Sequence, residues 1–178
     1  MSHTLYTASV QRVQRCELAV PGSNPDMFEK AMKSAEVGKV KEIRVHLVDD
    51  EVEFLETLEK RLRKRNLQVS CSRSGEEALE FLVAHPVDVV VLDVKMAGMS
   101  GIQTLREIKR RGPLVEVIML TGHANIEVAI EGMELGAFDY LMKPVDIDDL
   151  LFKVQDAYKK KSLQEGRIRR EEGIGKVY

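Results

Sequence analysis

Apolar residues follow two alternating patterns from residue 43 onward. Short segments rich in apolar residues alternate with longer stretches in which apolar residues recur every three or four positions. The short segments predict buried β-strands, and the longer stretches predict amphipathic helices. The predicted strands are 43–48, 67–71, 87–92, 115–120 and 138–142. The predicted helices are 51–66, 74–83, 101–111, 125–136 and 146–161.

Five strands that alternate with five helices predict an α/β fold, a doubly wound parallel sheet with helices on both faces. We place this domain at 42–161. Residues 1–41 show weak periodicity and are expected to form an N-terminal extension that is disordered or helical. Residues 162–178 are expected to form a short basic C-terminal tail. His46 interrupts the first strand, and we expect it to be buried and neutral with a backbone partner.

Composition narrows the class of protein. The chain has 178 residues, of which 44% are hydrophobic and 31% charged, as in soluble globular domains. A net charge of −2 gives no case for nucleic acid or an anionic membrane as a partner. The sequence shows neither a secretory signal nor an apolar run long enough for a membrane span. We therefore expect a cytoplasmic protein whose cysteines, Cys16 and Cys71, are free thiols.

Polar side chains follow the predicted strands where each strand ends. Asp49 and Asp50 follow the first strand, Asp93 the third, Thr121 the fourth and Lys143 the fifth. Functional groups gather at this edge of open α/β sheets, so we expect the five side chains to converge.

The residue types at this edge indicate phosphoryl chemistry. Clustered carboxylates repel one another unless a cation intervenes, and oxygen ligands of this kind suit Mg²⁺. A lysine and a threonine hydroxyl facing the same point would bind an anion. Together these groups describe a phosphoryl-transfer site in which an aspartate can be the nucleophile and form an acyl phosphate.

Four motifs with this spacing resemble a known family. They are "VDDE" (48–51), "LDVKMAGMSG" (92–101), "MLTGHA" (119–124) and "GAFDYLMKP" (136–144). On these motifs, residues 43–161 resemble the receiver domain of two-component response regulators, most closely those of the nitrogen-regulator type. The resemblance implies a flavodoxin-like sheet with strand order 2-1-3-4-5.

The resemblance also implies a role for each residue of the site. Asp93 would be the phosphoacceptor and a ligand of Mg²⁺. Asp50 would bind the ion directly, Asp49 mainly through water, and Lys95 through its backbone carbonyl. Lys143 would pair with a phosphoryl oxygen.

Further residues would transmit and tune the signal. Thr121 would move to hydrogen-bond the phosphoryl group, and the aromatic switch Tyr140 would turn inward to fill the space that Thr121 vacates. Pro144 would follow a cis peptide bond. Lys95 and His123 occupy positions that tune the lifetime of the acyl phosphate in the family. The family often has a proline where this chain has Ala97, so we expect a slightly less stiff loop.

The function implied is a phosphorylation-controlled signalling module rather than an enzyme with a separate substrate. A sensor histidine kinase or a histidine phosphotransfer protein would phosphorylate Asp93, and the regulator would assist its own phosphorylation and autodephosphorylation. The surface of helix 4, strand 5 and helix 5 would then bind a partner protein, and homodimerisation on phosphorylation is a further outcome. Because no room remains for an output domain after residue 161, we expect a stand-alone receiver.

Three alternative functions fit these residues less well. A degenerate receiver could act as a phosphorylation-independent protein-binding scaffold, but it would need a broken acidic pocket or a missing lysine. An aspartate-nucleophile phosphatase of the haloacid-dehalogenase type usually carries a second acid two residues after the nucleophile, and Lys95 stands there. A flavin-binding protein of this fold is disfavoured because the acids at 49–51 would repel the flavin phosphate.

Overall fold

The computed structural model describes residues 42–122 and 126–174 and confirms the predicted α/β fold. Strands and helices alternate along these residues. The strands are β1 (Arg44–Val48), β2 (Gln68–Ser72), β3 (Val89–Asp93), β4 (Glu116–Thr121) and β5 (Asp139–Met142). The helices are α1 (Val52–Arg63), α2 (Gly75–Ala84), α3 (Gly101–Arg111), α4 (Ile126–Glu134) and α5 (Ile147–Ile174). The N-terminal extension predicted for 1–41 lies outside the described residues.

The five strands form one parallel sheet in the order β2-β1-β3-β4-β5, which is the order that the resemblance implied. From β1 the chain adds β2 on one side of the sheet, and it then adds β3, β4 and β5 in turn on the other side of β1. Val48 of β1 is in register with Leu92 of β3. The residues that follow, Asp49 and Asp93, therefore lie next to each other at the carboxyl edge.

Alternate residues of the central strands enter two separate hydrophobic cores. In β3, Val89 and Val91 face α1 and α5, whereas Val90 and Leu92 face α2, α3 and α4. All four side chains are buried, as predicted for a strand with both faces covered. This buried strand carries Asp93 at its end.

The starts of α2 and α3 are fixed by side-chain caps. Ser74 Oγ accepts a hydrogen bond from Glu77 N (3.2 Å), while the Glu77 carboxylate accepts one from Arg73 N. A complete capping box, in which each side chain accepts from the other residue's backbone N–H, occurs at α3 between Ser100 and Gln103. It fixes the start of α3 behind the loop that follows Asp93.

His46 is fully buried, as predicted, but its partners are side chains rather than the backbone. Its two ring nitrogens lie 2.8 Å from Ser70 Oγ and 2.9 Å from Ser72 Oγ. The ring stacks on Phe81, with ring centroids 4.4 Å apart. Burial lowers the pKa of His46 to about 4, so the ring is neutral near pH 7.

The C-terminal helix corrects the predicted tail. The helix was expected to end at Lys161, but α5 continues to Ile174. Glu165 forms ion pairs one turn away in each direction, with Lys161 (3.2 Å) and Arg169 (3.7 Å), and such pairs support a helix. No proline interrupts this stretch. Although α5 is long, none of the described helices is apolar enough over a sufficient length to cross a membrane.

Two lysines directly before the predicted basic tail form ion pairs with buried carboxylates of the domain. Lys161 Nζ lies 2.7 Å from Asp88 Oδ1 and donates to Val87 O (3.1 Å). Lys160 Nζ lies 3.0 Å from Glu116 Oε1. Both carboxylates are 1% exposed. The local excess of positive charge available to a partner is therefore smaller than the sequence suggested.

Candidate functional site

Three carboxylates meet at the carboxyl edge of the sheet, because β1 and β3 are neighbours. Asp49 and Asp93 are buried, whereas Asp50 is exposed. One oxygen of each carboxylate lies within 4.8 Å of an oxygen of the others. The structure thus brings together the three acids that the sequence placed at the ends of two different strands.

Lys143, which follows β5, reaches across this edge to the acids. Its Nζ lies 2.6 Å from Asp49 Oδ2, 3.0 Å from Asp93 Oδ1 and 3.1 Å from Glu51 Oε1. The Lys143 side chain is 13% exposed, so these contacts are partly shielded from solvent. The lysine therefore compensates the two buried negative charges directly.

The electrostatic environment follows from this arrangement. Burial alone would lower the pKa of Lys143, but hydrogen bonds to Asp49, Asp93 and Glu51 outweigh it and hold the pKa well above its usual value. Burial raises the pKa of Asp49, and the contact with Lys143 offsets only part of that rise. Asp49 is therefore an oxygen ligand whose charge would be stabilised by a nearby divalent cation.

The loop that follows Asp93 is held by backbone hydrogen bonds to carboxylates. Lys95 N donates to Asp93 Oδ2 (2.7 Å), and Ala97 N donates to Asp50 Oδ2 (3.0 Å). A proline in place of Ala97 would lack the second bond, because proline has no N–H. The sequence predicted a less stiff loop at Ala97 but did not indicate this hydrogen bond. The role assigned to the Lys95 carbonyl stays a prediction.

Thr121 and Tyr140 lie on neighbouring strands beside the acids. Thr121 is the last residue of β4 and is buried, and its carbonyl accepts a hydrogen bond from Lys143 N (2.6 Å). Tyr140 pairs with Met119 across β4 and β5 and is half-buried against the second core. The peptide bond between Lys143 and Pro144 is cis. His123 lies outside the described residues, so its tuning role stays a prediction.

Sequence reasoning missed two neighbours of Lys143. Glu51 was noted beside the two aspartates but given no role, and it supplies the third carboxylate on Lys143 Nζ. The ring of Phe54, in the first turn of α1, lies 4.4 Å from Lys143 Nζ. Glu51 follows the two aspartates, and Phe54 lies three residues after Glu51. Neither position in the sequence indicates a contact with Lys143, which is 89 or more residues away.

The donor set fits a hard divalent cation. The oxygens are carboxylates, and Mg²⁺ binds through one or two carboxylates while keeping several waters. The exposed position of Asp50 leaves access from solvent. In the part of the chain that the structure describes, this is the one cluster of three or more potential metal ligands.

Comparison with known proteins identifies the domain. The sequence model of the response regulator receiver domain matches residues 45–155. The transcriptional regulatory protein ZraR of Escherichia coli K12 is 38% identical over 115 residues, which cover 65% of this chain and 26% of ZraR. The regulator NtrC of the same organism is 38% identical over 113 residues, 64% of this chain and 24% of NtrC. The aligned part of this chain thus spans about a quarter of the curated relatives that it matches.

Solved structures agree with the sequence comparison. A response regulator receiver domain from Clostridium thermocellum superposes with a TM-score of 0.66 at 36% identity, covering 68% of this chain and 98% of that one. A CheY-like receiver domain from Methanospirillum hungatei superposes with a TM-score of 0.67 at 26% identity, covering 69% and 98%. The described fold is therefore that of a whole receiver domain.

Proposed function

The chain belongs to the response regulator receiver domain family of two-component systems, and on that premise we propose that it is a phosphorylation-controlled switch whose phosphoacceptor is Asp93. Phosphorylation-controlled signalling is the general role of the family. The observation that carries the assignment to Asp93 is its position. It is the acid at the end of the central strand, and Lys143 Nζ lies 3.0 Å from its Oδ1.

Mg²⁺ is the cofactor that we propose for this site. Asp50 and Asp93 would bind the ion, Asp49 would contact it mainly through water, and the Lys95 carbonyl would complete the protein ligands. When bound, the ion supplies positive charge that offsets the repulsion between the carboxylates and the incoming phosphoryl group. The clustering of the three carboxylates supports this set.

The phosphoryl transfer is a single displacement at phosphorus. A carboxylate oxygen of Asp93 forms a bond to phosphorus while the bond from phosphorus to the donor breaks. With a phosphohistidine donor the imidazole nitrogen leaves with the bonding electron pair. Lys143 donates to a phosphoryl oxygen and stabilises the charge there, since its raised pKa keeps it protonated.

The switch follows from the charge that phosphorylation adds. A phosphoryl group brings about −1.5 to −2 charges and several strong acceptor oxygens. The Thr121 hydroxyl moves to donate to one of them, and Tyr140 turns into the space that Thr121 leaves. Both residues lie on strands that flank α4, so their movement changes the surface of α4, β5 and α5.

That surface is suited to binding a protein. The exposed apolar side chains of these three elements include Ile126, Ile130, Met133, Met142 and Phe152. Exposed apolar side chains that form a patch mark interaction sites, and α4 alone carries three of them. We propose that the phosphorylated surface binds a downstream protein or a second copy of the chain. The phosphoryl donor would be a sensor histidine kinase or a histidine phosphotransfer protein in the cytoplasm.

The test uses beryllofluoride, a phosphoryl mimic, with Mg²⁺ and amide NMR spectra of the full chain. In the wild type, signals from the Asp93 loop, α4 and β5 should shift. Asp93→Asn should show none of these shifts, and Thr121→Ala should keep the loop shifts but lose those of α4. An unchanged wild-type spectrum would contradict the proposal and favour the phosphorylation-independent scaffold.

A further inference from the structure

The loop between β3 and α3 is tied to three carboxylates through alternate backbone N–H groups. Lys95 N donates to Asp93 Oδ2, Ala97 N to Asp50 Oδ2, and Met99 N to Glu76 Oε1 (3.2 Å). These carboxylates come from β3, from the residues after β1 and from α2. The loop conformation and the positions of two site acids are therefore coupled by hydrogen bonds.

The hydrogen bond from Ala97 N differs from the other two, because within 42–122 and 126–174 the Asp50 carboxylate accepts no other hydrogen bond. Asp49 and Asp93 each accept a backbone N–H on one oxygen and contact Lys143 through the other. Among the described residues, Ala97 N is the one hydrogen-bond donor on the Asp50 carboxylate, and it bonds Oδ2. None of these described residues donates a hydrogen bond to Oδ1.

A donor on one oxygen orients a carboxylate that is otherwise free to rotate. Asp50 is exposed, so without this bond its carboxylate would sample several rotamers, and ordering it on metal binding would cost free energy. Carboxylates that bind metals are commonly held by such outer hydrogen bonds. Their loss typically weakens metal affinity or activity about 10-fold to 100-fold.

We propose that the backbone N–H of Ala97 is a positioning group for Mg²⁺, which holds Asp50 Oδ2 so that Oδ1 is presented to the ion. This inference rests on the proposed function only in taking Mg²⁺ as the ion of the site. It adds a role for Ala97 that depends on the residue not being proline, since proline has no N–H. The side chain of Ala97 takes no part in it.

Two substitutions separate the N–H from the side chain. Ala97→Pro removes the donor and leaves the N–H groups of Lys95 and Met99 in place. Ala97→Ser changes the side chain and keeps the donor. The readout is the Mg²⁺ dissociation constant of the full chain. It is measured without any phosphoryl donor, by titrating Mg²⁺ and following the NMR amide signals of the loop between β3 and α3.

We expect the Mg²⁺ dissociation constant of Ala97→Pro to be about tenfold higher than that of the wild type. The constant of Ala97→Ser should equal the wild-type value. Equal constants in the wild type and Ala97→Pro would overturn the positioning role while leaving the Mg²⁺ site intact. A wild-type chain that does not bind Mg²⁺ would overturn both this inference and the proposed cofactor. The two failures are therefore distinguishable.

A second measurement decides the matter if Ala97→Pro does not fold. Hydrogen exchange of the Ala97 amide is measured in the wild type with Mg²⁺ bound. We expect the Ala97 amide of the wild type to exchange more slowly than an unprotected exposed amide. The same amide should exchange faster in Asp50→Ala than in the wild type. An Ala97 amide that exchanges at the unprotected rate with Mg²⁺ bound would overturn the proposal.

Discussion

Lys143 Nζ lies 3.0 Å from Asp93 Oδ1, an oxygen of the carboxylate that we propose accepts the phosphoryl group. The same ammonium lies 2.6 Å from Asp49 Oδ2. It thus has two tasks, since it neutralises buried acids before phosphorylation and would contact a phosphoryl oxygen afterwards. Because it neutralises these acids, Lys143 should contribute to the stability of the domain as well as to its function.

Replacing Lys143 by methionine should expose that structural role. The substitution leaves two buried carboxylates without their cation, and we expect the free energy of unfolding at pH 7.5 to fall by about 2 kcal/mol. Part of the loss should return as the pH is lowered to 5, because burial raises the pKa of Asp49 and the folded chain therefore takes up this proton more readily than the unfolded chain. Urea unfolding at the two pH values measures both effects. Lys64→Met removes an exposed lysine and is the matched control.

Gly101 should tolerate no side chain. A Cβ at this position would lie 2.1 Å from Asp93 O and 2.8 Å from Val94 Cα, and these are backbone atoms that cannot move aside cheaply. We expect Gly101→Ala to lower the free energy of unfolding by about 1 to 3 kcal/mol and to displace Asp93. Gly166→Ala is the control in α5, where a Cβ meets no atom within 4 Å, and it should be neutral or stabilising. Equal stabilities for the two variants would contradict the close approach.

The buried ring of His46 should make the free energy of unfolding depend on pH in the mildly acidic range. The unfolded chain protonates this histidine near its ordinary pKa of 6.5, whereas the folded chain resists protonation until about pH 4. The free energy of unfolding should therefore fall as the pH falls through this window, by up to roughly 3 kcal/mol. His46→Gln should lack this part of the pH dependence. The stability difference between wild type and variant is measured from pH 7 to pH 4.5, and a constant difference would contradict the account.

The C-terminal helix should depend on the contact between Lys161 and Asp88. Burial would raise the pKa of Asp88, but hydrogen bonds from Arg44 and Lys161 hold it well below its usual value. Lys161→Met removes one of these partners, and we expect a loss of roughly 2 kcal/mol in unfolding free energy. Lys159→Met, which removes an exposed neighbour, should change stability far less. Chemical denaturation of both variants tests this, and similar losses would argue against the buried pair.

The sequence was a good guide where local pattern decides structure. Strand ends were predicted within one or two residues, because apolar runs stop where the chain leaves the sheet, and this located the acids at 49, 50 and 93 together with Lys143. The strand order came from the family resemblance. Periodicity alone cannot supply it, since it does not say which strands pair.

Contacts between distant residues were harder to predict. The stretch 162–174 is polar and resembles a solvated tail, and the partners that anchor its start, Val87 and Asp88, are 74 and 73 residues from Lys161. The hydrogen bond from Ala97 N to Asp50 also escaped prediction. A backbone donor has no side-chain signature, and its direction depends on the loop conformation.

The most direct test of the central claim is the intact mass of the chain after incubation with acetyl phosphate. The measurement compares the wild type with and without Mg²⁺, beside Asp93→Asn. The account predicts one phosphoryl adduct in the wild type that depends on Mg²⁺, with acetate as the leaving group, and no adduct in Asp93→Asn. An equal adduct in Asp93→Asn, or no adduct in the wild type under any condition, would contradict it.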